Sequence, residues 1–401
     1  MRTLDALGYR DYRLLWYTQV GSSMGQWMEN VARDWLVYQM TDSAWMVGLI
    51  NAARAVPMIF LGLFGGVVAD MVVNRRQILI VTKTINLLLT LLMAVLISMG
   101  RIEVWHIFAI TVGIGMAMAF EQPARNALIP NLVPSDKLMN AVALNSAALN
   151  SSRIVGPAIG GFLVTFFGVA GAYYARGFLY VFVLLGLFMM VAPERSVFTR
   201  RESIGKNMVD GLSYVRNNQT VFTLLVLAVV PMLFSMNYRT LMPVFARDIL
   251  EIGAGGMGLL LSATGVGSLT GAVVVASLGD FQHKGKLLLA GMMVAGSSLV
   301  LFSASPWLAG SVLFMATFGF ADQCYTMINQ TLMQGIITDD FRGRVMSVYA
   351  LDRGLQSAGA LMAGGVAELA GAPLTMAFLG AVNVVVATGV ALRMPFIRRL
   401  K

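Results

Sequence analysis

A few ionisable side chains lie inside long stretches of sequence that are otherwise almost entirely apolar. A charge surrounded by apolar groups is costly unless it is paired, protonated or hydrated. A partly desolvated carboxylate with a cation close by has the chemistry needed to bind a proton and release it again. The side chains concerned are Glu29, Arg33, Asp34, Arg54, Glu121, Arg153, Arg176, Arg239, Asp322, Asp352, Arg353 and Glu368.

Two carboxylates in the first apolar stretch are the leading candidates for reversible proton binding. Glu29 and Arg33 are spaced i, i+4, which lets them neutralise each other on one face of a helix. Asp34 is turned by roughly 140° from Glu29 about the helix axis and needs another partner. Arg54, in the next stretch, is the simplest candidate. We therefore predict that Glu29 and Asp34 couple protons with the two arginines as partners; structural ion pairs that hold helices together are the alternative.

Further polar, aromatic and sulfur-containing side chains are candidates for lining a cavity. Asp322 lies near the middle of its apolar stretch, and Thr326 and Asn329 fall on the same helical face. Aromatic rings and flexible thioethers suit apolar cargo of varied shape, although such side chains more often pack helices together. The predicted cavity lining consists of Trp27, Met28, Glu121, Tyr238, Arg239, Asp322, Thr326 and Asn329.

The composition indicates which elements must hold these residues. Of 401 residues 57% are hydrophobic and 12% are charged, and the mean hydropathy is +0.74, values that exclude a soluble domain. Stretches that can cross roughly 30 Å of hydrocarbon as helices recur, and the strand alternation of a membrane barrel is absent. We predict an all-α membrane protein with twelve transmembrane helices, at about 12–40, 45–69, 78–100, 104–124, 138–166, 170–192, 219–248, 255–278, 286–304, 308–332, 345–369 and 373–394.

An internal repeat divides these helices into two sets of six. Residues 127–161 align without a gap on 331–365, at an offset of about half the chain. A parallel repeat of this size in a membrane chain predicts two homologous bundles that face each other across a substrate path. The predicted domains are an N-terminal bundle (1–192), a cytoplasmic linker (193–218) and a C-terminal bundle (219–401).

The basic residues cluster at one set of helix ends, which predicts that both termini are cytoplasmic. The set is Arg2, Arg10, Arg13, Arg75, Arg76, Lys83, Arg125, Lys137, Arg195, Arg200, Arg201, Lys206, Arg216, Lys284, Lys286, Arg342, Arg344, Arg398, Arg399 and Lys401. The net charge of +9 then reflects this topology and contact with anionic membrane lipids, and no nucleic-acid partner is indicated.

The chain offers little material for other chemistry. Its single cysteine, Cys324, excludes an intramolecular disulfide, and His106 and His283 lie far apart in sequence. We find no metal-ligand cluster, no Ser/His/Asp set and no phosphate-cradling loop, so neither an enzyme nor a metal or other cofactor is expected.

The loop after the second predicted helix carries a recognisable motif. Gly66 and Asp70, followed by Asn74-Arg75-Arg76, resemble motif A of the major facilitator superfamily, although Met71 stands where that motif commonly has arginine. In that superfamily this cytoplasmic loop gates the two halves. The resemblance, with charged residues at the matching end of the second half, implies a cytoplasmic gate formed by Asp70, Arg75, Arg76, Arg342, Arg344, Asp352 and Arg353.

The fifth predicted helix is similar to motif C, the antiporter signature of the same superfamily. The residues that carry the similarity are Arg153, Gly156, Pro157, Gly160 and Gly161. Glycines let backbones approach closely and proline permits a bend, so this helix is predicted to form a thin, bendable contact between the halves. A generic small-residue packing face is the alternative.

Shorter segments across nearly the whole chain look like the enterobactin-exporter-like branch, also called transmembrane secretion effectors, which includes macrolide-efflux-like proteins. They include Trp35-Leu-Val-Tyr38, Pro123-Ala-Arg125, Asn140-Ala-Val-Ala-Leu-Asn145 and Pro243-Val-Phe-Ala-Arg247-Asp248.

This resemblance implies a monomeric exporter of siderophore-like or drug-like amphipathic molecules in the bacterial inner membrane, driven by proton antiport. A proton-coupled symporter that imports a nutrient is one alternative, and a non-transporting sensor or scaffold is another.

Overall fold

A computed structural model describes residues 4–71, 74–191, 215–216, 218–279, 281–337 and 352–400, without the side chains of residues 59, 63–71 and 352–354. Within these ranges the chain is almost entirely helical and contains no strand. The prediction of an all-α fold is confirmed. The predicted gate residues Asp70, Arg342, Arg344, Asp352 and Arg353 have no described side chain, so their positions stay predictions.

The helices agree in position with the predicted apolar stretches. They are α1 (Arg10–Thr41), α2 (Ala44–Met71), α3 (Arg75–Ser98), α4 (Val104–Leu132), α5 (Leu138–Met189), α6 (Gln219–Leu233), α7 (Tyr238–Val244), α8 (Gly253–Ser277), α9 (Lys284–Ser303), α10 (Leu308–Ile336), α11 (Asp352–Ala370), α12 (Ala372–Arg393) and α13 (Pro395–Arg398). Eight of the described helical segments are long and apolar enough to cross a membrane. The number twelve stays a prediction.

Two predicted spans form one continuous run, α5, which breaks at a single residue. Gly168 has φ 71° and ψ 175°, a backbone conformation that only glycine adopts readily. The part of α5 after Gly168 corresponds to the sixth predicted span, and the part before it to the fifth.

The seventh predicted span is one stretch of hydropathy but several pieces of helix. Helix α6 ends at Leu233, a 3₁₀ turn covers Ser235–Asn237, and α7 leads into a π-helical turn, Phe245–Ile249. The Asn237 side chain donates hydrogen bonds to the carbonyls of Met232 and Leu233 at 2.8 and 3.0 Å. A side chain therefore satisfies carbonyl groups that the interrupted helix leaves open.

The chain packs into two compact units. The first contains Met1–Asp42, Ile50–Arg200 and Gly253–Ser262, and the second contains Ser43–Leu49, Arg201–Ile252 and Ala263–Lys401. Ser43–Leu49 comes from the N-terminal half of the sequence but belongs to the second unit, and Gly253–Ser262 comes from the C-terminal half but belongs to the first. The predicted domain boundaries stay predictions.

The first unit is held by an apolar core between α1, α3, α4 and α5. Tyr12 and Trp16 of α1 donate hydrogen bonds to the Ala141 and Leu144 carbonyls of α5, at 2.7 and 2.9 Å. These bonds supply the polar ends of two aromatic side chains with partners, so the rings can pack into an apolar interior. These two bonds therefore fix the first part of helix α1 against α5.

At the surface, one ion pair ties the start of the chain to the turn before α5. Lys137 Nζ lies 3.0 Å from the Asp5 carboxylate. The hydrogen bond to Asp5, together with its charge, holds the pKa of the Lys137 ammonium above its ordinary value.

The second unit has a corresponding apolar core of its own. Leu224 of α6, Met292 of α9, Met333 of α10 and Ala387 of α12 are all at most 1% exposed and belong to it. Asn383 of α12 donates a hydrogen bond to Ser235 at 2.7 Å within this unit. Among the described residues, the buried ion pairs lie in the first unit.

Candidate functional site

Glu29 lies at the centre of a buried ion-pair network in the first unit. Its Oε1 is 2.5 Å from Arg54 Nη2 and 3.6 Å from Arg33 Nη1, and its Oε2 is 3.3 Å from Arg176 Nη2. Three arginines from α1, α2 and α5 therefore surround one carboxylate that is 3% exposed. We call Glu29, Arg33, Asp34, Arg54 and Arg176 the Glu29 cluster. Attraction from three cations offsets the cost of burying this carboxylate's charge.

Asp34 is paired differently from the sequence prediction. Its Oδ1 accepts hydrogen bonds from Arg33 Nη2 at 2.8 Å and Nε at 3.1 Å, and Asn51 Nδ2 is 3.4 Å away. Arg54 instead donates to Glu29 and to Asn30 Oδ1 at 2.8 Å. The prediction that Arg54 pairs with Asp34 is wrong, because the long Arg33 side chain reaches the carboxylate of its own neighbour.

A second buried carboxylate, Glu121 of α4, has its own cations. Lys83 Nζ of α3 is 2.7 Å from Glu121 Oε1, and Arg125 Nη1, one helical turn further along α4, is 3.6 Å away. Arg125 also donates a short hydrogen bond to Gln19 of α1, whose amide donates to Ser23 Oγ at 2.7 Å. We call Glu121, Lys83 and Arg125 the Glu121 cluster.

Two basic residues are thus found where the charge pattern did not place them. Lys83 and Arg125 were assigned to the cytoplasmic helix ends, yet Lys83 is only 6% exposed and both side chains pair with Glu121 inside the unit. A carboxylate four residues before Arg125 was the available signal for that pair. Nothing in the sequence identifies Lys83 as the third member, because it comes from another helix.

A polar cavity of about 60 Å³ lies between the two clusters. Its lining includes Glu29 and Arg176 of the Glu29 cluster and Glu121, Lys83 and Arg125 of the Glu121 cluster. Its remaining lining is Gln19, Ser22, Ser23, Gln26, Asn86, Ile114, Met118, Gln122, Leu149 and Tyr180. Glu29, predicted as a proton-coupling residue, and Glu121, predicted to line a cavity, therefore border the same cavity, whereas Asp34 does not.

Several polar atoms at this cavity are buried without a protein partner. Among the described residues, Ser22 Oγ, Asn86 Oδ1 and Arg176 Nε and Nη1 accept or donate no hydrogen bond. Arg176 and Asn86 are each 1% exposed. Because buried polar groups are normally satisfied, these atoms indicate that the cavity accommodates water or a ligand group.

The remaining residues predicted to line a cavity do not border this one. Met28 is buried, with its backbone beside Gly160. In the second unit, the Tyr238 ring packs edge-on against Phe318 at 4.9 Å, and Arg239 Nε donates to the Tyr238 hydroxyl at 3.3 Å.

On α10, Asp322 and Asn329 are each 1% exposed, and Asn329 donates to the Leu224 carbonyl at 3.0 Å. The side-chain oxygens Thr326 Oγ1 and Asn329 Oδ1 have no hydrogen-bond partner among the described residues. These buried polar groups lie within the second unit. Trp27 of α1 packs beside Gly156.

The two gate arginines that are described bind backbone carbonyls. Arg75 Nη1 donates to the Ala127 carbonyl at 3.1 Å, and Arg76 Nε and Nη2 each donate at 2.7 Å, to the carbonyls of Leu187 and Phe188. These bonds tie the start of α3 to the ends of α4 and α5. Their role in a gate stays a prediction.

The glycines of the antiporter-like motif do pack closely, but mostly against α1. A Cβ on Gly156 would lie 2.5 Å from Trp27 Cβ, and a Cβ on Gly160 would lie 2.8 Å from Met28 Cα. Gly161 faces α8 instead, where its Cβ would lie 3.0 Å from Gly258 Cα. Gly161 is thus the one glycine of these three that packs against a helix from the second half of the sequence, and the predicted contact between the halves stays a prediction.

The helical fold is that of membrane proteins of the major facilitator type. A POT family transporter solved with 5-aminolevulinic acid has the same fold, with a TM-score of 0.79 at 11% identity over 97% of this chain and 96% of that one. At that identity the likeness concerns the fold alone. The family described as transmembrane secretion effector matches residues 2–399, and the chain belongs to this family of secondary transporters.

Two relatives show the range of the family. The staphyloferrin A transporter of Staphylococcus aureus (strain NCTC 8325 / PS 47) is 23% identical over 365 residues, 89% of each chain. The enterobactin exporter EntS of Escherichia coli O1:K1 / APEC is 27% identical over 346 residues, 83% of this chain and 79% of that one. The predicted resemblance to this branch is confirmed, and the protein is a multi-pass membrane transporter and not an enzyme.

Proposed function

We propose that the protein exports an amphipathic small molecule across the bacterial inner membrane in exchange for protons. The observation that carries the proposal is the Glu29 cluster. One buried carboxylate is held by three arginines and borders a polar cavity inside the first unit. Such a carboxylate changes its interactions with all three cations when it takes up or loses a proton.

The proposed coupling uses this change of partners. When Glu29 or Asp34 binds a proton, its attraction to the neighbouring guanidinium groups is lost, and those groups become available to other partners. Protonation therefore weakens the ion pairs that connect α1 with α2 and α5. In an alternating-access cycle, protons entering the cell down their gradient would reset the transporter after each release of cargo.

The names of the relatives support the cargo class. A staphyloferrin A transporter and an enterobactin exporter both match over most of the chain. We therefore place siderophore-like molecules first among the cargo candidates and drug-like molecules second. Cytoplasmic termini and a monomeric state belong to the same proposal.

The test is a substrate screen in everted membrane vesicles with an imposed pH gradient, acidic inside. Export from the cell corresponds to uptake into such vesicles. We expect at least one siderophore-like or drug-like compound to accumulate when the gradient is present and not after a protonophore collapses it. Accumulation that is unchanged by the protonophore would exclude proton antiport, and accumulation only under the reverse gradient would favour proton symport.

A further inference from the structure

We propose that the polar cavity between the Glu29 and Glu121 clusters binds an acidic group of the transported molecule, of the carboxylate type. This inference rests on the proposed transport function and specifies the chemical class of its cargo. Three cationic side chains form the walls of the proposed site: Lys83, Arg125 and Arg176. All of them, and both carboxylates that border the cavity, belong to the first unit.

The balance of charge around the cavity favours an anion. The two clusters contain five basic side chains, Arg33, Arg54, Lys83, Arg125 and Arg176, against three carboxylates, Glu29, Asp34 and Glu121. With every group ionised, the basic side chains of these two clusters outnumber their carboxylates by two. Uncompensated charge inside an apolar bundle is costly, and an anionic group in the cavity would lower that cost.

The orientation of Arg176 adds a second observation. Its Nη2 is occupied by Glu29 at 3.3 Å and by the Tyr180 hydroxyl at 3.2 Å. Its Nε and Nη1, on a side chain that is 1% exposed, have no partner among the described residues. Each of these two nitrogens can donate a charge-assisted hydrogen bond to a separate acceptor, such as a carboxylate oxygen or a water molecule.

The guanidinium is also held in place. The centroid of the Tyr180 ring lies 5.0 Å from Arg176 Cζ and 5.4 Å from Lys83 Nζ, so one aromatic ring contacts both cations. Asn86 and Ser22 contribute further polar atoms that lack partners at the same cavity. The site is therefore preorganised, which reduces the entropic cost of binding.

The size of the cavity limits what can enter. About 60 Å³ accommodates a carboxylate or a couple of water molecules, whereas pockets for whole drug-sized ligands are several times larger. The proposed ligand is thus an amphipathic acid whose head group enters the cavity and whose remainder stays outside it. A wholly cationic or neutral cargo would leave the excess of positive charge uncompensated.

The experiment compares an acid with its neutral amide. Purified full-length protein in detergent is heated with sodium benzoate or with benzamide, at ionic strength matched with sodium chloride. Unfolding is followed with a thiol-reactive dye, since the single cysteine, Cys324, is buried in the folded protein. Benzoate at ten times its dissociation constant is expected to raise the folding equilibrium constant about elevenfold, with a matching rise in the unfolding midpoint. Benzamide is expected to leave the midpoint unchanged.

Variants locate the effect. Arg176→Gln removes the guanidinium proposed to bind the carboxylate. Asn86→Leu places an apolar side chain at the cavity, and it breaks no hydrogen bond of Asn86 Oδ1, because that atom has no partner among the described residues. Both are expected to lose the benzoate shift. Asn86→Leu keeps the test decisive if Arg176→Gln fails to fold. The control is Thr90→Val, one turn away on α3, buried and absent from the cavity lining, which is expected to keep the shift.

Equal shifts with benzoate and benzamide, no shift with either, or a benzoate shift that persists in Asn86→Leu would each overturn the anion site. Because this binding assay needs no gradient, its result is independent of the vesicle screen. A benzoate shift that depends on Asn86 would support the site even if no compound shows proton-driven export, in which case the transport proposal alone fails.

Discussion

The three buried carboxylates of the first unit differ in how many cations hold each of them. Three arginines contact Glu29, a lysine and an arginine contact Glu121, and one arginine contacts Asp34. Among the described residues, Asp34 therefore has the fewest cations to exchange when it changes protonation. This makes it the most suitable of the three for a proton that must be released in every cycle.

Asp34→Asn is expected to abolish gradient-driven transport while leaving substrate counterflow largely intact. The amide has the size of the carboxylate and can accept a hydrogen bond from Arg33, but it cannot bind and release a proton. Both activities are measured in proteoliposomes, after normalisation to inserted protein.

The control for this change is Asp248→Asn, which alters an exposed carboxylate in the second unit and is expected to affect neither activity. If Asp34→Asn reduced counterflow and gradient-driven transport equally, Asp34 would contribute to substrate contact or to structure and not to coupling.

At the level of single residues, sequence reasoning identified the carboxylates but not their partners. Glu29, Asp34 and Glu121 stand out because they are charged in apolar stretches, and the structure places all three inside the first unit. The partners of these groups come from different helices, and side-chain length decides which cation reaches which carboxylate. Arg176 shows this clearly, because it lies well over a hundred positions after Glu29 in the sequence and still contacts it.

Helix boundaries are a property of the element scale, and hydropathy predicts them well where a loop separates two spans. It cannot show where the backbone breaks inside an apolar stretch, as it does at Phe234 and at the π-helical turn that begins at Phe245. Local hydrogen bonds decide these breaks, for example the two that Asn237 donates to open carbonyls. Composition does not report such bonds.

Gly168→Ala is expected to destabilise the protein by about 1–3 kcal/mol, the usual cost of a strained backbone conformation. An added Cβ would meet no atom within 4 Å, so the cost comes from the backbone at φ 71° and ψ 175° and not from a clash. Thermal unfolding measured through Cys324 gives the shift.

Gly389→Ala is the matched control, because Gly389 lies inside α12 with equally open surroundings. There the change removes a flexible residue from a helix and should be neutral or stabilising by up to about 1 kcal/mol. Equal changes in the free energy of unfolding at the two positions would show that alanine adopts the backbone conformation at position 168 without strain.

Gly156→Val and Gly160→Val are expected to reduce transport strongly, because side chains there would push α1 away from α5. The added atoms would meet Trp27 Cβ and the Met28 backbone, next to the residues of the Glu29 cluster. Pro157→Ala should have a milder effect, since it alters the bend without filling the contact. Activity is measured per amount of inserted protein.

The comparison variant is Gly389→Val, in which the new side chain meets open space. We expect it to retain activity. Should Gly156→Val transport as well as Gly389→Val, the close approach of α5 to α1 would be ordinary packing without a role in the cycle.

On the scale of the whole molecule, the sequence predicts the class of protein better than it predicts the site. Hydropathy and the internal repeat are summed over many residues, so single errors hardly change the predicted fold. The cavity depends instead on a few polar atoms brought together from α1, α3, α4 and α5, among them Asn86 and Ser22, which no pattern distinguishes from other polar residues.

The two proposals together predict how transport responds to membrane voltage. If one acidic cargo molecule with one negative charge leaves the cell for each proton that enters, two positive charges move inward per cycle. Each charge is worth about 2.3 kcal/mol per 100 mV, so the cycle gains about 4.6 kcal/mol at a cytoplasm-negative potential of 100 mV. At 100 mV each charge that moves changes the ratio of cargo concentrations across the membrane by a factor of about fifty, since about 1.4 kcal/mol corresponds to tenfold.

This is measured in everted vesicles by setting a potassium diffusion potential with valinomycin, positive inside, while strong buffering to the same pH on both sides of a parallel sample leaves the potential to act alone. Cargo that carries one negative charge should accumulate more steeply with voltage than neutral cargo, because two charges move per cycle with the anion and one with the neutral molecule. Symport of the same anion with a proton moves no net charge, so accumulation that is independent of voltage would contradict the combination of anion cargo and proton antiport. A cationic cargo exchanged for one proton would also show no dependence on voltage, but it would fail to compete with benzoate for the cavity, and the two explanations can therefore be told apart.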